Sequence, residues 1–187
     1  MTQKQIEEAV RAVLSSIERD REREIVARRY GLFERKETLE QIGELLGITR
    51  ERVRQLEKAI MIKLREAAKK GDLASVTKTE KVILDQLSQM GHVARVSNLV
   101  EALAGKGGTK IDQSRLAFLA DLCPNLSVVS ENDHYHQAVA ITDKHDEKGV
   151  HELITGVIEA IKNLGKPHSI ETISKAAGHS DTRQTEA

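Results

Sequence analysis

Apolar residues recur at spacings of three and four along the first third of the chain. In "QIEEAVRAVLSSIERD", Ile6, Val10, Val13, Leu14 and Ile17 fall on one face, which predicts a first helix. "REREIVARRYGLF" predicts a second, with Gly31 as its C-terminal cap, and "ERKE" reads as a charged loop. Thr38 caps a third helix, where Gln41 completes a capping-box pattern and Gly47 marks the stop. Thr49 caps a fourth helix more simply, since Arg52 stands where a box has Glu. Val53, Leu56, Ile60 and Leu64 form the buried stripe of that helix.

The pattern breaks at "KKGDLASVT" and resumes beyond it. "KTEKVILDQLSQMG" predicts a helix buried through Val82, Ile83 and Leu87, and "RVSNLVEALAG" predicts another. The Gly-rich "GKGGTK" then leads to a third helix, "IDQSRLAFLADLC", which Pro124 ends. In "LSVVSENDHYHQAVAITD" the period changes, and two Val-rich runs flank a polar tip as in a β-hairpin. Three helices and a hairpin describe a winged helix. After a linker, "DKHDEKG", the segments "VHELITGVIEAIKNLG" and "SIETISKAAG" match the first two helices of another such unit. Its wing is missing, so a shortened chain is expected.

The fold class expected is mainly α. A helix-turn-helix domain over 1–70 precedes a winged-helix domain over 76–143 with a small β-hairpin. A partial second winged-helix unit over 148–178 follows, with a flexible tail over 179–187.

Residues 39–56 meet the steric demands of a helix-turn-helix. Where the helices cross, one position must be small, and the turn needs a positive φ. Counting from Leu39, the fifth residue is Gly43, the ninth Gly47 and the tenth Ile48; Val53 and Leu56 complete the inward set. An ordinary helical hairpin with a charged outer face is the alternative. The fourth helix turns Arg50, Glu51, Arg54, Gln55 and Lys58 away from its apolar stripe. Arg takes guanine O6 and N7 bidentately, Gln takes adenine, and Glu accepts from cytosine N4. Arg50, Glu51 and Gln55 are thus candidate base readers, while Arg52, Arg54 and Lys58 suit phosphates.

Charge supports that placement. The 187 residues are neutral overall, yet residues 49–70 hold 8 basic against 3 acidic side chains. Residues 1–74 hold 17 basic against 14 acidic, and the remainder 12 against 15. Aromatics make up only 2% and Trp is absent, which excludes a stacking platform for single strands. One cysteine, Cys123, excludes an internal disulfide and reads as a small core residue. No apolar run is long enough to span a bilayer, so a cytoplasmic, nucleoid-associated protein is expected. His134, His136, His145 and His151 have no cysteine pair or Glu spacing beside them and read as surface histidines, not metal ligands. "GKGGTK" lacks the spacing of a phosphate loop. With no catalytic constellation, an enzyme is not expected, nor any cofactor. "KIDQSRLAFLADL" exposes few cations, which leaves open whether the winged unit binds DNA or protein, or serves as a stabilising or dimerising module.

"REREIVARRYGL" and "TLEQIGELLGITRERVRQLEKAIMIKLR", joined by a short loop, resemble region four of housekeeping-class bacterial sigma factors over about residues 18–66, most densely at "TRERVRQ". The resemblance implies that the helix beginning at Thr49 enters the major groove of a −35 promoter element, with Arg50, Glu51 and Gln55 reading bases. It also implies phosphate contacts from Arg21, Arg29 and the helix start at Leu39, and docking on the β flap of RNA polymerase. No stretch before residue 18 resembles the regions that melt promoters, so reading without strand opening is expected. Residues 149–178 are similar to the HARE-type helix-turn-helix of transcription proteins. A module that grips polymerase or another partner without reading promoters is the competing possibility.

Overall fold

The computed structural model describes residues 1–132, 135–145, 147–179 and 181–186. In chain order the elements are α1 (Gln3–Ser15), α2 (Asp20–Tyr30), α3 (Leu39–Leu46), α4 (Arg50–Lys70), α5 (Ala74–Gln89), β1 (Val93–Arg95), α6 (Val96–Ala104) and α7 (Lys110–Leu122). They continue with β2 (Leu126–Val129), β3 (Ala138–Ile141), α8 (Glu147–Leu164), α9 (Ile170–Ala176) and α10 (Arg183–Glu186). The chain is mainly helical, with one small sheet. No helix among the described residues is long and apolar enough to cross a membrane.

Two compact units form, one from Met1–Val82 with Val100–Pro124 and the other from Ile83–Leu99 with Asn125–Ala187. In the first, the stripe read on α1 is the stripe buried: Ile6, Val10 and Val13 are fully enclosed, and Leu14 and Ile17 nearly so. α7 packs against α1, α2 and α4. It buries Leu116, Ala117, Phe118, Leu119, Ala120 and Leu122, so this helix is enclosed nearly all round. Its start is fixed by a capping box in which Asp112 accepts from the Thr109 backbone N–H at 3.0 Å. Cys123 is buried, with Sγ donating to the Leu119 carbonyl at 3.1 Å.

The second unit holds an antiparallel sheet in the order β1-β3-β2. Val93 pairs with Ala140, and Val128 with Val139. Val93, Val129, Ala138 and Ala140 form a small core with Val150 and Ile154 of α8. The helices and hairpin expected of a winged helix over 76–143 occur in that order along the chain, but α7 belongs to the first unit and the sheet to the second. The hairpin expected from the sequence has a third strand, β1, whose three residues are too few to display a period. Val82, expected inside, is 38% exposed.

The hydrogen bond that closes the end of α9 has the same spacing as the one that closes the end of α3. The His179 N–H donates to the Ser174 carbonyl at 2.9 Å, as the Ile48 N–H does to the Gly43 carbonyl at 2.9 Å. Ser174, like Gly43, is small and buried. The residues after 178, expected as a frayed tail, include α10. Arg183 anchors it by hydrogen bonds to Asp181 and to the Gln89 carbonyl at 2.9 Å.

Candidate nucleic-acid interface

The helix-turn-helix is built on a local core. Ile25, Ile42 and Val53 are fully buried together, with Leu39, Leu46, Ile48 and Leu56 packed around them. Thr38 and Gln41 form the reciprocal box that starts α3: Thr38 Oγ1 accepts from the Gln41 N–H at 3.2 Å, and Gln41 Oε1 from the Thr38 N–H at 2.9 Å. Gly47 ends α3 in the left-handed region, at φ 64°. At Gly43 a Cβ would sit 2.7 Å from the Ile48 carbonyl oxygen, so the turn lies against this helix too closely for any side chain. Thr49 Oγ1 then accepts from the Arg52 N–H at 3.1 Å and opens α4.

With Val53 inside, Arg50, Glu51, Arg52, Arg54, Gln55 and Lys58 all stand exposed along α4. Four of them form one network. Arg54 grips Glu51 with two bonds, Nε to Oε2 at 2.8 Å and Nη2 to Oε1 at 2.7 Å. Gln55 Nε2 donates to the same Glu51 Oε1 at 3.3 Å, and Arg52 Nη1 reaches Gln55 Oε1 at 3.5 Å. The Arg54 hydrogen bonds, helped by Gln55 and the Arg50 charge, hold the Glu51 carboxyl down at about 2. All these groups lie in solvent, where such pairs exchange readily for other partners.

The other residues expected at phosphates lie around this helix. Arg21 is exposed and donates through Nη2 to the Leu46 carbonyl, tying α2 to the end of α3. Arg29 is half-buried, with Nη1 3.4 Å from the Glu37 carbonyl oxygen. Leu39 turns its side chain into the local core, so only backbone N–H groups at the start of α3 are available to an anion.

Two contacts join residues distant in sequence, Tyr30 with Glu57 and Arg28 with Glu37. The Tyr30 hydroxyl donates to Glu57 Oε1 at 2.9 Å, and burial, with Glu57 adding, pushes the Tyr30 phenol up. Arg28 pairs with Glu24 at 3.0 Å and with Glu37 at 2.8 Å, closing the loop after α2. The Glu24–Arg28 pair is legible from its (i, i+4) spacing; the Glu37 and Glu57 contacts lie too far along the chain for spacing to reveal them.

Elsewhere, among the described residues, no group of three His, Cys, Asp or Glu is arranged to hold a metal ion. His136 lies 3.9 Å from Glu131, and His151 stacks on Tyr135 with centroids 4.7 Å apart. His145 is half-buried, and His134 lies outside the described residues.

Residues 19–66 match the family model of Sigma-70, region 4. Over 61 residues the chain is 46% identical to RNA polymerase sigma factor SigA1 of Synechococcus elongatus, which covers 32% of this chain and 15% of that protein. SigA of a Nostoc species is 44% identical over 61 residues, with the same 32% and 15% coverage. SigA of Microcystis aeruginosa is 50% identical over 46 residues, covering 24% of this chain and 11% of that protein. The chain therefore spans only a small part of the length of the curated relatives it matches. No solved structure matches it. The matched segment comprises α2, α3 and most of α4, the part of the chain that carries the helix-turn-helix geometry.

Proposed function

We propose that this chain is a duplex DNA-binding transcription protein that reads a −35-like promoter element with α4, in concert with RNA polymerase. Arg50, Glu51 and Gln55 take the base edges. Arg21, Arg29, Arg52, Arg54, Lys58 and the start of α3 at Leu39 take the phosphates. A helix-turn-helix places its second helix in the major groove and lays the first across the backbone. The observation that carries the reading is the exposure of six polar and charged side chains on a region-four recognition helix, from Arg50 to Lys58. Glu51 holds Arg54 and Gln55 together before DNA arrives, and both give up little on leaving it for a base or a phosphate. Within this reading, residues 1–70 are the reading head, and the winged-helix parts over 76–143 and 148–178 extend or regulate it. The β flap of the polymerase is its protein partner, and the nucleoid its place of work.

The experiment is a binding-site selection by the full chain from random duplex DNA, run beside a pull-down with core RNA polymerase. A single enriched motif is the expected result. Polymerase capture with no motif enriched would favour the competing reading, an interaction module that does not read promoters.

A further inference from the structure

We propose that α7 is an intramolecular brace for the recognition helix, so that DNA affinity depends on residues no duplex touches. This rests on the reading of α4 as the DNA-facing helix.

α4 is 21 residues long, which makes it about 32 Å at 1.5 Å per residue. The helix-turn-helix core holds only its first two turns, through Val53 and Leu56. Farther along, where Ile60, Met61 and Leu64 are buried, α7 reaches it once through Tyr30 of α2 and once directly. At the first, the Phe118 ring packs on Tyr30 with centroids 5.2 Å apart and planes tilted by 57°, and the Tyr30 hydroxyl bonds Glu57 at 2.9 Å. Glu57 lies one turn beyond Arg54, and its charge acts on that guanidinium. At the second, Arg65 Nη2 donates to Asp121 Oδ2 at 2.7 Å and Nε to the Asp121 carbonyl at 3.3 Å.

α7 is itself firmly seated. The Arg115 side chain is 11% exposed; it donates to the Leu32 carbonyl at 2.7 Å and pairs with Glu7 at 3.0 Å and Asp112 at 3.4 Å. Phe118 is 1% exposed. α7 thus spends its apolar side chains and its arginine on the helices and loops of residues 1–70.

The geometry is a lever. Glu57 sits about 10 Å along the axis from Arg50, so a tilt of about 5° there moves the reading end by about 1 Å. That displacement is enough to spoil a bidentate contact with a base. Tyr30, Phe118 and Asp121 are therefore positioning residues.

The test uses the full chain with Tyr30→Phe and Asp121→Ala, both of which leave the apolar core in place. Affinity is measured for the selected duplex and for random duplex of equal length, and hydrogen exchange is followed for the α4 amides beyond Glu57. The brace predicts a loss of about 3–10-fold on the selected duplex for each variant, from one hydrogen bond or ion pair. It predicts little change on random duplex, and faster exchange in α4. The sign for Asp121→Ala is the discriminating point. Removing an acid should tighten binding to all DNA if charge alone matters, whereas losing the brace weakens the selected duplex alone. Wild-type affinity in both variants, or tighter binding to both duplexes by Asp121→Ala, overturns the proposal. If the wild-type chain selects no motif, the DNA reading fails, and the brace is judged on exchange alone: unchanged α4 protection in both variants overturns it.

Discussion

Replacing Gly43 by Ala probes the close approach between α3 and the turn that leads into α4. The added Cβ would lie 2.7 Å from the Ile48 carbonyl oxygen and 3.4 Å from the Arg50 nitrogen. Both neighbours are backbone, and the Ile48 N–H already bonds the Gly43 carbonyl at 2.9 Å. The turn therefore yields only by moving the start of α4, by roughly 0.7 Å to reach an ordinary contact. Overpacking of this kind costs about 1–3 kcal/mol, while Ala in place of Gly inside a helix recovers about 1 kcal/mol. The net expectation is a loss of about 1 kcal/mol, with α4 displaced. Gly47→Ala is the matched control: nothing lies within 4 Å of its Cβ, but φ is +64°. The left-handed conformation costs about 1 kcal/mol without touching the helix crossing. Urea unfolding of the full chain should give similar losses for the two variants. Anisotropy with the selected duplex should separate them: Gly43→Ala binds less tightly at full folding, and Gly47→Ala binds as wild type. A Gly43→Ala protein that gains stability and binds normally would refute the close crossing.

Other expectations follow from single groups. Arg29→Ala should weaken selected and random duplex alike and reduce the salt slope by about 1, measured by binding titrations at several salt concentrations. Burial pushes the His145 and His179 imidazoles below their ordinary 6.5, with His92 adding to it at His145. The folded chain then binds fewer protons than the unfolded one, so stability is lost as pH falls through 6.5 toward the folded values. Thermal unfolding should start lower at pH 5.5 than at pH 7.5, and His145→Gln with His179→Gln should narrow that difference; an unchanged gap would count against the burial argument. Burial also raises the Cys123 thiol. Iodoacetamide at pH 8 should leave the native thiol unmodified and label it fully in denaturant, and rapid native labelling would contradict its enclosure.

What the sequence revealed of the reading head was local in origin. The Thr38–Gln41 box, the stops at Gly31 and Gly47, and the small residue at Gly43 each act on neighbours within a few positions. The stripe on α1 was legible for the same reason. The role of α7 was not. Leu116, Ala117, Phe118, Leu119 and Ala120 are consecutive, so their burial has no period, and the partner ring at Tyr30 is far away in the chain. β1 was too short to show alternation, and α10 is held by Asp181 and the Gln89 carbonyl, neither an apolar signal. On α4 the sequence identified which side chains face outward. The Glu51 network that joins them emerged only from rotamers, because the same residues at the same spacing also fit a plain solvated face.

The most direct test of the central claim is to repeat the duplex selection with Arg50→Ala and Gln55→Ala beside the wild-type chain. Base reading by α4 predicts one motif for the wild type. Arg50→Ala should lose preference at a single guanine-containing pair and Gln55→Ala at a single adenine-containing pair, each by about 1–3 kcal/mol. Selection of the same motif with the same affinity by all three proteins would contradict it.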